Sequence, residues 1–334
     1  MLRGLACASV MLFHYLSRGP RAGWMDGAFL PLADAIAAYG YLGVHLFFMI
    51  SGFVILMSAQ GATPRSFIAS RAARLYPAFW ISASITTVAV WLAGDARFAV
   101  SLPDYLVNLT MFASWFGTQF IDGAYWSLAV EMLFYIYVWL ALRFGLFDHI
   151  EWLLAAWLVV SAVNALRPMW PVEFWLNARW APFFVTGSVF FMVRMHGVTA
   201  LRTGLLLVAY VLSLFYALAE AARSDAISGY EPLLSGVIVV AVSGFFAVFA
   251  AIAFKRWTVA YSPMVAWLGV LTYPVYLLHQ NLGYVVYGHL NGETGYPLFS
   301  LVLTTALVIA LAWGVHMGFE KKIGPRLKRL ILPG

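Results

Sequence analysis

The chain has 334 residues, of which 63% are hydrophobic and 10% charged, and its mean hydropathy is +0.86. So little polar surface cannot clothe a soluble core of this size, which excludes a soluble domain and leaves an integral membrane protein. The net charge of +6 would suit nucleic acid, but membrane topology accounts for the basic residues and no nucleic-acid partner is expected.

The apolar runs are about 20 residues long rather than alternating ten-residue strands, which selects an all-α bundle over an outer-membrane barrel. Ten transmembrane spans are predicted, at about 2–17, 36–59, 75–93, 124–144, 151–166, 179–195, 203–221, 232–254, 263–288 and 297–318. Fourteen Trp, many near run ends, suit interfacial belts. The first run has the outline of a signal peptide, but His14 interrupts it and no small-residue cleavage site follows, so a transmembrane helix is predicted. Segment 94–123 contains the semi-polar Leu102–Trp115 and reads as a re-entrant or interfacial helix. Cys7 has no partner within the chain, and no internal repeat of the transporter type is visible.

Alternate loops divide the basic residues unequally. Arg3, Arg65, Arg71, Arg74, Arg143, Arg194, Arg202, Lys255, Arg256 and the five in 321–329 fall on one side, against Arg18, Arg21, Arg97, Arg167, Arg179 and Arg223 on the other. The richer side should be cytoplasmic, which places both termini inside. Most acidic residues, namely Asp26, Asp34, Asp95, Asp104, Asp122, Glu173, Asp225, Glu231 and Glu293, then fall outside.

Ionisable groups within spans need a reason, because each is costly in hydrocarbon. His14 lies about 16 Å along its helix from Arg3; it is either a packing histidine bonded to a carbonyl or a general base for a weak hydroxyl nucleophile. Glu131, inside the fourth span, either pairs with an arginine or orients a histidine or substrate hydroxyl. Gly43, Ser51 and Gly52 are small residues in a bulky helix, suited to close packing or to leaving room for an acyl chain. His45 beside them is open between site and packing. Tyr273-Pro274-Val-Tyr276-Leu-Leu-His279 predicts a kink at Pro274 with polar tips beside it. Glu320 to Arg329 reads as a solvated basic tail. Arg71 and Arg74 stand just ahead of the 75–93 run, at a membrane face or wet cavity. There is no phosphate-loop, His-Glu-x-x-His or Gly-x-Ser-x-Gly motif and no Cys cluster, so no metal is expected and chemistry rests on His, Glu, Arg and Tyr.

Five motifs in order, Arg3-Gly-Leu-Ala with His14, Gly43-Val through Ser51-Gly-Phe53, Arg71-x-x-Arg74-x-Tyr-Pro77, Trp126-Ser-Leu-x-x-Glu131-x-x-Phe-Tyr135 and Tyr273-Pro-x-Tyr-Leu-x-His279, resemble the acyltransferase-3 family. These are bacterial membrane O-acyltransferases acting on O-antigen, exopolysaccharide, Nod factors, peptidoglycan or antibiotics. The resemblance implies a ten-helix bundle in the bacterial inner membrane and a single acyltransferase domain over 1–334 with no attached soluble domain. It also implies an acyl-CoA donor, usually acetyl-CoA, that enters from the cytoplasm. His14 would be catalytic with Glu131 orienting it, Arg3, Arg71, Arg74, Ser51 and Tyr76 would hold the donor, and Trp126, Ser127, Tyr276 and His279 the acceptor. Where the family commonly carries several residues ahead of the Arg-Gly pair, only Met1 and Leu2 precede Arg3. The expected reaction moves an acyl group to a hydroxyl of a cell-surface or lipid-linked glycan, with the bilayer and further copies of the chain, as a homo-oligomer, as partners. Two rivals are a transporter with a His14/Glu131 path and a scaffold in polysaccharide export.

Overall fold

The computed structural model describes residues 1–27, 30–228, 233–257 and 262–332. Glu231, counted above among the outer acids, lies outside the described residues, as do the side chain of Asp225 and the first residue of the expected 232–254 span. Among the described residues every regular element is helical. Among the described residues seven helices are long and apolar enough to cross a membrane: Pro31–Ala59, Pro64–Ala93, Gly123–Arg143, Phe147–Leu166, Ala200–Arg223, Ser235–Ala253 and Pro297–Ile331. The expected spans at 2–17, 179–195 and 263–288 fall short of that measure, because their helices are short, interrupted or diluted by polar residues. The chain forms two compact units, one of Met1–Gly40, Arg65–Ala129 and Ser262–Gly334, the other of Tyr41–Pro64 and Val130–Tyr261.

In the first unit the opening helix Leu2–Phe13 passes into a π turn, His14–Arg18, before Gly19–Arg21. Pro20 has no N–H to give the carbonyl four residues back, and the Gly19 N–H closes onto the His14 carbonyl instead. Any side chain at Gly19 would start 2.7 Å from that carbonyl, so the glycine is required. Pro64–Ala93 runs unbroken through Pro77 and already contains Arg71 and Arg74. Beside short 3₁₀ turns at Ala96–Phe98 and Ala113–Phe116, the 94–123 segment holds one α-helix, the seven-residue Leu102–Asn108, about 10 Å long and too short to cross. It is tied to Pro64–Ala93 by Tyr76 Oη to Thr110 O (3.0 Å) and by the Trp80 indole to Leu109 O (2.9 Å).

The ninth expected span breaks, but not at Pro274. Pro263–Leu278 contains that proline and continues past it; the interruption is at His279–Gln280, after which Asn281–Thr294 begins. A proline removes one hydrogen bond from a helix, which its neighbours absorb here. The 279–280 break instead has its freed groups satisfied from outside: Tyr125 Oη donates to Leu277 O (3.0 Å), Tyr15 Oη to His279 O (2.6 Å), and the Asn281 N–H is capped by Asp122 Oδ2 (2.7 Å). Pro297–Val315 continues through a second π turn, His316–Glu320, into Lys321–Ile331.

In the second unit Ala181–His196 is buried all round from Ala181 to Val193 and lies against Leu42–Ala59. A Cβ on Gly52 would fall 2.1 Å from Phe184 O, and one on Gly187 1.8 Å from Met49 O. Gly52 therefore serves backbone approach to Ala181–His196, as Gly187 does from the other side.

Candidate active site

Tyr273, Tyr276 and His279 each reach a different element of the first unit. Tyr273 Oη donates to Leu75 O (3.1 Å), and its ring lies 6.0 Å from the Arg74 guanidinium. Tyr276 Oη shares a hydrogen bond of 2.7 Å with Ser127 Oγ, and both face Ala124 O. His279 Nε2 lies 3.0 Å from His14 Nδ1. From the Arg74 level to the histidine pair is six residues, about 9 Å of helix.

The histidine pair has one consistent arrangement of protons. His279 Nδ1 faces the Tyr276 carbonyl at 2.8 Å and His14 Nδ1 the Val10 carbonyl at 3.0 Å. Carbonyls only accept, so both Nδ1 atoms carry hydrogen. The one hydrogen on His14 Nδ1 is then shared between the Val10 carbonyl and the lone pair of His279 Nε2, and His14 Nε2 is left as the free base. His279 is buried, 1% exposed, whereas His14 is only partly so, and the accessible ring is the one with the free lone pair.

The arginines stand apart in character. Arg74 pairs with Glu320, whose other oxygen lies 2.8 Å from His316 Nδ1. Glu320 is 8% exposed, which corrects its reading as part of a solvated tail: the π turn His316–Glu320 directs it inward. Arg71 bonds Ser70 through Nη2 (2.9 Å), while its buried Nε has no partner among the described residues. A buried, unpaired guanidinium donor is costly alone and fits an anionic phosphate oxygen. Arg3 begins the opening helix, eleven residues before His14. The Tyr76 hydroxyl is engaged by Thr110. Trp126 opens the helix that carries Ser127 and is partly buried.

In the second unit Glu131 accepts from the hydroxyls of Ser51 and Tyr135, the latter at 2.8 Å. Ser51, expected to hold the donor, and Glu131, expected to orient His14, are thus hydrogen-bonded to each other, while the Nδ1 of His14, through which a carboxylate would orient it, is taken by Val10 and His279. His45 is 1% exposed amid Trp180, Phe183 and Tyr41. Its Nε2 stands 3.0 Å from Glu220 Oε2 but off the hydrogen-bond direction. Among the described residues no three His, Cys, Asp or Glu gather as a metal site. Tyr15, Asp122, Tyr125 and Asn281, which fasten the 279–280 break, carried no motif that would have singled them out.

These features define a polytopic helical membrane protein with a histidine pair at a helix break and Arg74 about two turns away. The chain belongs to the acyltransferase-3 family, described as an acyltransferase domain, which it matches over residues 1–317. It is 30% identical over 177 residues to BcsY of Komagataeibacter xylinus, whose name describes a membrane-bound transacylase, covering 48% of this chain and 41% of that protein. It is 24% identical over 179 residues to nodulation protein 10 of Rhizobium leguminosarum bv. viciae, covering 47% of each. Over 104 residues it is 29% identical to the exopolysaccharide production protein ExoZ of Rhizobium meliloti (strain 1021), covering 29% of this chain and 32% of that protein. The chain therefore spans less than half the length of these curated relatives. No solved structure matches it.

Proposed function

We propose that this protein is a membrane O-acyltransferase that moves an acyl group, acetyl in the simplest case, from acyl-CoA to a hydroxyl of a cell-surface or lipid-linked glycan. The observation that carries this reading is the free Nε2 of His14, fixed by the chain from Val10 and His279 to Tyr276. In direct transfer His14 Nε2 takes the acceptor hydroxyl's proton, the oxygen attacks the thioester carbonyl carbon, and the C–S bond breaks. The proton then passes from His14 to the departing thiolate, so the base is restored. Arg71 and Arg74 grip the donor's phosphates with Arg3, and the thioester arm bridges the remaining distance to His14. His279 positions His14, while Tyr276 and Ser127, hydrogen-bonded to each other, and Trp126 form the acceptor side. Glu131, held by Ser51 and Tyr135, is proposed to hold a substrate hydroxyl. Both units serve one acyltransferase domain, crossing the bacterial inner membrane ten times with cytoplasmic termini.

Family membership and relatives named for transacylation, nodulation and exopolysaccharide production support an enzyme over a transporter or scaffold. The test is thiol release from acetyl-CoA in membranes supplied with acceptor extract. A correctly inserted His14→Ala protein that still transfers at the wild-type rate would refute the proposal.

A further inference from the structure

At the far end of the first unit a cavity of about 850 Å³ opens between Trp24, Asp26, Asp95, Arg97 and the 285–292 stretch of the Asn281–Thr294 helix. The motifs above do not reach it. Its lining combines Trp24 with Asp26, Asp95, His289 and Asn291, with Val285 and Tyr287 buried behind it and the exposed Leu92 at its edge.

The polar groups are fixed in place. The Asp26 carbonyl is held by Tyr287 Oη (2.6 Å) and Asn291 Nδ2 (3.2 Å), which sets its carboxylate at the rim. Asn291 Oδ1 is buried with no partner among the described residues, an acceptor awaiting a donor. Arg97 is engaged with Asp95 through Nε and Nη2 (2.9 and 2.7 Å), and that hydrogen-bonded guanidinium holds the Asp95 carboxyl below its ordinary range. Trp24 is braced by Phe98 and Tyr284, ring centroids 5.7 and 5.1 Å away.

The sign of the pocket separates the two substrates. Arg97 is neutralised by Asp95, and Arg18, whose guanidinium lies 5.7 Å over the Trp24 ring, offsets Asp26, so the pocket has no surplus positive charge to attract a multiply anionic donor. Aromatic faces with fixed acceptors suit a ligand that has C–H faces and a ring of hydroxyl donors. Tyr284 links the pocket to the chemistry: its ring touches Trp24 and its hydroxyl reaches His14 O (3.4 Å).

We infer that this cavity is the acceptor subsite and takes one or two pyranose units of an uncharged glycan, with a ring stacked on Trp24 and hydroxyls donated to Asp26 and Asn291. The inference rests on the acyl-transfer reading for its purpose but not for its test. Full-length protein in nanodiscs is titrated with cellotetraose, chitotetraose and tetragalacturonate by saturation-transfer NMR, without donor. The expected result is saturable binding of at least one neutral oligomer, weakened tenfold or more by Trp24→Ala and by Asp26→Asn and unchanged by Gly204→Ala, where an added Cβ meets nothing within 4 Å, with no binding of the polyanion. Asp26→Asn is nearly isosteric and is paired with His289→Ala on the exposed rim, so that misfolding of the Trp24 variant does not decide the matter. Absence of binding by both neutral oligomers, equal binding of tetragalacturonate, or indifference to Asp26→Asn and His289→Ala together would overturn it. Saccharide binding without any thiol release from acetyl-CoA sinks the acyltransferase reading and leaves the pocket standing. Transfer with an acceptor KM unmoved by these variants does the reverse.

Discussion

His279 Nε2 and His14 Nδ1 lie 3.0 Å apart, and each ring's remaining assignment follows from the carbonyl on its other contact. On the proposed reading the pair is a base and its holder, since of the two only His14 presents a free nitrogen. His14→Ala should lower kcat by about 10²–10⁴, the usual range for a general base. His279→Ala leaves the base and its Val10 contact in place but removes the second hold on the ring's angle, and should lower kcat by about ten- to a thousandfold. Glutamine at 279 keeps an acceptor for His14 Nδ1–H and should recover part of that loss. Steady-state kinetics with the donor KM unchanged in the His279 variants checks the assignment; a donor KM that rises with them contradicts it.

Arg71 offers a buried Nε with no partner among the described residues, while Arg74 is already paired with Glu320. Lysine at 71 keeps the charge but loses the fork, so the donor KM should rise about tenfold or more with kcat little changed. A donor KM within twofold of wild type would mean that Arg71 serves topology alone.

Glu320 holds Arg74 and is itself held by His316. If Arg74 exchanges Glu320 for phosphate when donor binds, Glu320→Gln should have opposite effects on two measurements. Thermal stability falls, because a mostly buried partner is lost, by less than a fully buried pair would cost since Arg74 is 32% exposed. The donor KM falls as well, because Arg74 no longer has to leave a carboxylate. Thermal shift on detergent-purified protein, together with donor titration, reads both; a raised KM would make Glu320 a holder of Arg74's geometry instead.

Much of this was legible in the chain because membrane insertion writes itself into composition: the long apolar runs, the helical class and the segment too polar to cross all follow from hydropathy. Motif spacing also located His14, His279, Tyr276 and Ser127, which the structure joins. The break at 279–280 was not legible. A proline announces its own lost bond, whereas this break depends on donors from Tyr15 and Tyr125 and a cap from Asp122, distant in sequence and individually unremarkable. Glu320 was misread for a related reason: it neighbours a basic run, and only the π turn brings it inward.

The break yields its own prediction. Tyr15 Oη supplies the His279 carbonyl with a 2.6 Å hydrogen bond in a buried setting. Tyr15→Phe removes the donor and leaves that carbonyl bare, at about 1–3 kcal/mol. The thermal midpoint should drop, and kcat should fall with it because His279 shifts. The ring itself is retained, so packing is unchanged and any loss belongs to the hydroxyl. A variant as active and as stable as wild type would show that water or another donor replaces it.

Gly187 tests the second unit independently of the chemistry. Its missing side chain lets Ala181–His196 lie against the backbone of Leu42–Ala59, where an added Cβ would meet Met49 O at 1.8 Å and Phe53 N at 2.8 Å. Backbone atoms cannot swing away as a flexible side chain can, so the two helices must separate. Ser188 Oγ, 3.2 Å from Gly52 O on the same interface, would be pulled from its partner as they do. Overpacking of this kind costs about 1–3 kcal/mol and sometimes more. Gly187→Ala should therefore lower the thermal midpoint or the folded yield in size-exclusion analysis. Gly204→Ala, where a Cβ meets nothing within 4 Å, should leave both unchanged or slightly improved, as expected of an exposed helical glycine. Equal behaviour of the two variants would show that the helices are not held at the separation described.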